Sequence, residues 1–310
     1  MIYPDLYGAF DIAREYCGFS QFPSPKPTTD RLMWQHGVIC FDIKIPEQGF
    51  GAPIPSPETR KLLATKKLLK FYEKRNISHS YAIGLPVVYL PDVTIKRKEN
   101  TLIVFPGHGV PGSSMSEEIN KNYAKYILSI ADKFENVEVC IFGPDFDRKA
   151  RIRGIFEEHG FKIVRGVDDS KFALHEQKKR LLGFSHVTSN VMGSHISYAA
   201  SYGCKVSIAG PIHEYQREHL ENIEFYKLFP TALEIVTNYS ETSLRSYFSW
   251  LFCDPHEAKT CEAWGNEQIG LDCKLCPMEM CKLFQWTIPN VLKSKIKLSE
   301  KIKFLLRQAI

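Results

Sequence analysis

Between residues 97 and 211 the chain alternates short apolar runs with amphipathic stretches, five runs in all, and few folds accommodate that pattern. TLIVFP (101–106) is a continuous apolar run, as expected of a strand covered on both faces. The following stretch places Ile119, Tyr123, Tyr126, Ile127, Ile130, Ala131 and Phe134 at spacings of three and four, which predicts a helix over 117–134. VEVCIFG (137–143), FKIVRG (161–166), SHVTSN (185–190) and KVSIAG (205–210) read as further strands, with helices over 148–159, 171–182 and 194–202 between them. Gly203 suits the end of the last helix. Strands and helices in strict alternation, joined by short loops, predict an α/β fold with parallel strands and helices on both faces.

The first 96 residues are less regular. A helix is expected over 5–16, a strand at RLMWQHG (31–37) and a helix starting at Ser56-Pro57, because Ser caps helices and Pro suits a first turn. GFGAPIPSP (49–57) reads as a loop, and the polar segment PDVTIKRKEN (91–100) as a boundary. The expected organisation is a small N-terminal α/β unit (1–96), a Rossmann-like unit (97–290) and a C-terminal helix (291–310).

A chain of 310 residues with 44% hydrophobic content has enough material for two packed units. No run approaches the roughly 18 apolar residues that cross a bilayer, and early acids stand where a signal peptide carries basic residues. The expected location is the cytoplasm. A net charge of +5 does not demand a nucleic-acid partner. Residues 291–310 written as a helix put Leu298, Ile302, Leu305, Leu306 and Ala309 on one side, flanked by Lys293, Lys295, Lys297, Lys301, Lys303 and Arg307. Such a helix either lies on an anionic membrane surface, which would make the protein peripheral on the inner face, or docks on the body of the protein.

Strand ends in such a sheet are where ligands bind. Ser189, Asn190, Gly193, Ser194, His195 and Ser197 fall at one of them, where a helix start offers unpaired N–H groups and a positive dipole end to a phosphate. FPGHGVPGSS (105–114) falls at another, with Gly107, His108, Gly109, Ser113 and Ser114 and little side-chain bulk. It is neither a Walker loop nor Gly-x-Gly-x-x-Gly. Asp145 and Asp147, in GPDFDRK (143–149), can accept from a sugar hydroxyl, hold a metal or simply begin the next helix. His36 ends the N-terminal strand, where an imidazole suits acid–base work. Cys261, Cys273, Cys276 and Cys281, with Cys253 and His256 upstream, lack a second close pair, so free thiols rather than a metal are expected.

WQHG, GLPVVYL, TSNVMGSHISYAASYGCKVSI and EAWGNEQIGLDCKLCPMEMCKLFQW together resemble bacterial surface-polysaccharide biosynthesis proteins of the GT-B glycosyltransferase type. The likeness is strongest to transferases for CMP-activated ulosonic acids such as Kdo and sialic acid. The resemblance implies two Rossmann-like units across a cleft, the donor nucleotide-sugar on the C-terminal one and a glycan or glycolipid acceptor on the N-terminal one. It further implies that Gly193, Ser194, His195 and Ser197 contact the donor phosphate, that the His108 loop faces the transferred sugar, and that His36 enters from the acceptor side. His36, His108 and Asp145 are then the catalytic candidates, with Asp147, Glu117 and Glu118 as other carboxylates for a covalent mechanism. No metal, and no cofactor beyond the nucleotide-sugar, is required. A UDP- or GDP-sugar transferase, an epimerase, and a non-catalytic nucleotide-sugar or glycan-binding subunit stay open as alternatives.

Overall fold

A computed structural model describes residues 6–19, 31–51, 53–110, 116–168 and 170–286. The predicted C-terminal helix 291–310, and Ser113 and Ser114, lie outside the described residues. The architecture is α/β with two parallel sheets, the N-terminal one small. Its three strands, β1 (Leu32–Trp34), β2 (Arg60–Leu63) and β3 (Ser80–Ala82), are ordered β1-β2-β3. They are accompanied by α1 (Ala9–Tyr16) and α2 (Lys66–Glu73).

The helix expected from Ser56-Pro57 does not form there. Thr59 N–H donates to Ser56 O in a turn, and the chain enters β2 as the central strand, with Leu62 and Leu63 fully buried. Pairing on both edges outweighs the local Ser-Pro preference, and the helix starts later, at Thr65, whose side chain accepts from Leu68 N–H.

The second sheet contains β4 (Lys98–Phe105), β5 (Asn136–Ile141), β6 (Lys162–Arg165), β7 (Phe184–Ser189) and β8 (Lys205–Ile208) in the order β6-β5-β4-β7-β8. The connecting helices are α3 (Glu117–Ile130), α4 (Gly143–Asp147), α5 (Arg151–Glu158), α6 (Ala173–Leu182) and α7 (Ser194–Ser201). Alternation along β4 shows why the sheet is covered twice. Leu102 and Val104 pack in the core under α3 and α5, while Ile103 and Phe105 pack in the core under α6 and α7. Connections leave β4 toward β5 and β6 and then return to β7 on its other side, so the strand order reverses between β4 and β7. GPDFDRK (143–149) contains the one-turn helix α4.

After β8 the chain forms α8 (Arg217–Leu220), α9 (Glu224–Leu228), α10 (Pro230–Thr237), α11 (Glu241–Phe248), α12 (Glu262–Ile269) and α13 (Pro277–Phe284). The last two tie the sheets together. Gly265 of α12 meets α7 backbone to backbone: a Cβ there would lie 2.3 Å from Ser201 N. Ile269 O accepts from Leu85 N–H, and Leu283 O accepts from Arg60 of the small sheet. One hydrophobic core accordingly runs from Trp34 and Leu62 through Ile196 and Val206 to Phe284 and Trp286.

Candidate functional site

The strand-order reversal has a cavity at its carboxyl end. It encloses about 420 Å³ and is walled by Phe105, Pro106 and His108 after β4, Phe142 after β5, Gly166 and Val167 after β6, and Val191 to His195 after β7. Tyr7, His36 and Gly37 complete it from the N-terminal side.

Asn190 lies behind the wall rather than in it. It is fully buried; its Oδ1 accepts from Gly107 N–H (2.9 Å) and its Nδ2 donates to Pro211 O (3.1 Å), so one amide binds the ends of β4, β7 and β8 together. Ser189, also fully buried, donates to Phe105 O (2.6 Å) and accepts from Val191 N–H. Ser197 is fully buried inside α7 and does not line the cavity. None of these three residues, each expected to contact the donor, lines the cavity: Ser189 and Asn190 are engaged by backbone groups at the strand ends, and Ser197 is sealed within α7. Gly107 has its N–H engaged in the same way.

Gly193, Ser194 and His195 do line the cavity. No side chain caps the start of α7, which leaves its first amides and positive dipole end directed at whatever fills the space. Gly193 makes room for a ring: a Cβ at that position would lie 2.8 Å from the His195 imidazole. Ser194 is N1 of the helix rather than its cap, and its Oγ accepts from Val38 N–H (2.9 Å). Tyr198 donates to His36 O (3.1 Å) and Tyr239, just after α10, to Val38 O (3.3 Å), so the 36–38 loop is fastened onto α7 on one side and onto the segment after α10 on the other.

Four histidines face this space, each against an aromatic ring. His195 stacks on Phe105 (4.9 Å between centroids) and His108 on Phe142 (4.4 Å), while His36 meets Tyr7 (5.9 Å) and His213 meets Tyr215 (4.6 Å) edge-on. Burial pushes His36 down to about 4, partly countered by a backbone hydrogen bond at Trp34. Burial and the nearby His108 push His195 down to about 3, and burial alone pushes His213 down to about 4. These three are neutral imidazoles near pH 7, able to accept a proton. The His195 Nε2 is buried with no hydrogen-bond partner.

The carboxylates are elsewhere. Asp145 pairs with Arg148 (2.9 Å), Asp147 with Arg165, and Glu117 with Lys121 and Arg151. None of them, nor Glu118, lines the cavity. Gly109 also lies outside its wall, its carbonyl 2.8 Å from His108 Nδ1. Among the described residues no three His, Cys, Asp or Glu side chains converge to hold a metal ion, and all nine cysteines are free.

His213, Tyr198, Tyr215 and Tyr239 were not expected from the sequence. His213 carried a usable signal: it follows the fifth strand as His108 follows the first, in AGPIHEY (209–215). The tyrosines are brought in by packing and have no local signature.

No protein-family model matches the sequence, and no curated protein matches it. Among solved structures, a mutant of TarM from S. aureus in complex with fondaparinux, alpha-GlcNAc-glycerol and UDP aligns over 86% of this chain with a TM-score of 0.33 and 10% identity. The chain spans 50% of the length of that structure.

Proposed function

We propose that the protein is a glycosyltransferase that takes a nucleotide-activated sugar in the cavity between β4 and β7 and transfers the sugar to a glycan or glycolipid, as part of cell-surface glycan synthesis. The observation that carries this reading is the meeting, at the strand-order reversal, of an uncapped helix start with several neutral imidazoles in a cavity completed by Tyr7, His36 and Gly37 from the N-terminal side. Such a reversal point in an open α/β sheet is a nucleotide-binding crevice, and a helix N-terminus binds phosphate without Lys or Arg.

In this scheme residues 97–290 hold the donor and residues 1–96 supply the facing wall. The bond between the anomeric carbon and the phosphate oxygen breaks with its electron pair leaving on phosphate. The first amides of α7, with Ser194 and His195, stabilise that charge. An acceptor hydroxyl attacks the carbon and gives its proton to a neutral imidazole. The sequence resemblance supports a CMP-linked ulosonic acid as the specific donor, with UDP- and GDP-sugars as the other forms.

Calorimetric titration with CMP, CDP, UDP and GDP tests the reading: one of them is expected to bind, and His195→Ala to weaken that binding. If none of the four binds, the proposal fails. Among the described residues no carboxylate lines the cavity, which favours a second reading, a nucleotide-sugar-binding subunit without catalysis. Slow hydrolysis of the bound donor separates the two, since only a transferase activates that bond.

A further inference from the structure

A second cavity, of about 620 Å³, adjoins the first, and the two share His213 and Tyr215 in their walls. Its chemistry is different. The first cavity is walled mainly by aromatic, aliphatic and imidazole groups, whereas the second sets Glu214, Gln216, Glu241, Thr242 and Arg245, from the segment after β8 and from α11, beside the apolar Ile119, Ile212 and Leu220. Paired carboxylates, an amide and a guanidinium around an open space offer several donors and acceptors at once, which is what adjacent hydroxyl groups on a ring require.

The groups are held in place. Glu214 accepts from the Glu241 N–H at the start of α11, and Arg245 donates to Glu241 Oε1 (2.7 Å) while its guanidinium lies 4.1 Å over the Phe252 ring. Between the two cavities stands His213. Its side chain is only 8% exposed, yet both ring nitrogens are buried without a hydrogen-bond partner. A buried polar group in that state costs free energy unless something supplies the missing bonds.

We infer that the second cavity binds the hydroxyl-rich acceptor saccharide, and that His213 stands between acceptor and donor to receive the proton of the attacking hydroxyl. The inference rests on the donor assignment of the first cavity, and it makes His213, rather than His36 or His108, the proton acceptor. The proton leaves the acceptor O–H for an imidazole nitrogen as the new carbon–oxygen bond forms, and the departing nucleotide keeps the electron pair of the broken bond.

The test uses the whole chain, a printed array of mono- and oligosaccharides, and the four nucleotides above. The wild type is expected to retain at least one saccharide. Thr242→Trp, an exposed substitution behind the intact Ser240 cap, fills the second cavity and should weaken that binding about ten-fold or more, with nucleotide affinity within about two-fold of wild type. Gln216→Ala gives a gentler loss in the same direction.

The His213 ring nitrogen signals, followed by NMR, should shift with both classes of probe. Nucleotide binding with no saccharide retained, or saccharide retention unchanged in folded Thr242→Trp, overturns the inference and leaves the donor reading standing. Absence of nucleotide binding overturns the donor reading instead, whatever the array shows.

Discussion

Replacing Asn190 with alanine distinguishes a scaffold residue from a ligand contact. The truncation leaves Gly107 N–H and Pro211 O without their partner in a fully buried position. Stranding a buried polar group costs about 1–3 kcal/mol. Pro211 O is only half-buried, so about 2–4 kcal/mol for the pair is the working figure. An unfolding entropy of about 2.1 cal/mol/K per residue gives about 0.65 kcal/mol/K for 310 residues, and hence a fall in Tm of about 3–6 °C. Differential scanning calorimetry of the ligand-free protein measures it. Asn190→Asp keeps the acceptor for Gly107 but sets a carboxylate oxygen against Pro211 O, and should fall similarly. An unchanged ligand-free Tm in Asn190→Ala, with a ten-fold or larger loss of nucleotide affinity, would refute the reasoning and return Asn190 to the ligand.

Other outcomes follow from the same geometry. Ser194→Ala removes the acceptor for Val38 N–H and should cost about 1 kcal/mol of stability in urea unfolding, so its effect is not confined to the ligand. Gly265→Ala would force α12 off α7 against backbone atoms, costing about 1–3 kcal/mol; a Tm equal to wild type would show that the helices have room to part. His36, His186, His195 and His213 all have folded values of about 3–4 against an ordinary value of 6.5. The unfolded chain therefore binds more protons between pH 6.5 and about 4, and stability is full above that window and falls as pH drops through it. Thermal melts from pH 7.5 to 4 check this, and replacing His213 with Phe should make the decline shallower.

Much of the second sheet was legible because doubly covered strands are continuous apolar runs and the intervening helices carry a strong 3.6-residue period, as in 101–106 and 117–130. The N-terminal sheet was harder to read. Its strands span only three or four residues, and β2 exists because two neighbours pair with it, which no local preference reports. At the site, the strand-end rule brought His36, His108, Gly193, Ser194 and His195 to the wall of one cavity. It failed for Ser189, Asn190 and Ser197, since a polar side chain at a strand end is equally suited to satisfy neighbouring backbone groups. Asp145 failed for a related reason: Arg148, one turn away, was available to pair with it.

The fastening of residues 36–38 onto α7 has a kinetic consequence. Ser194 and Tyr198, which hold that loop, belong to the first turns of the helix whose start faces the cavity, so the latch and the binding surface are the same few atoms. Moving residues 36–38 away from the cavity would break the Val38–Ser194 and His36–Tyr198 hydrogen bonds, each worth about 1 kcal/mol. On the proposed reading, weakening either bond should speed exchange of the bound ligand.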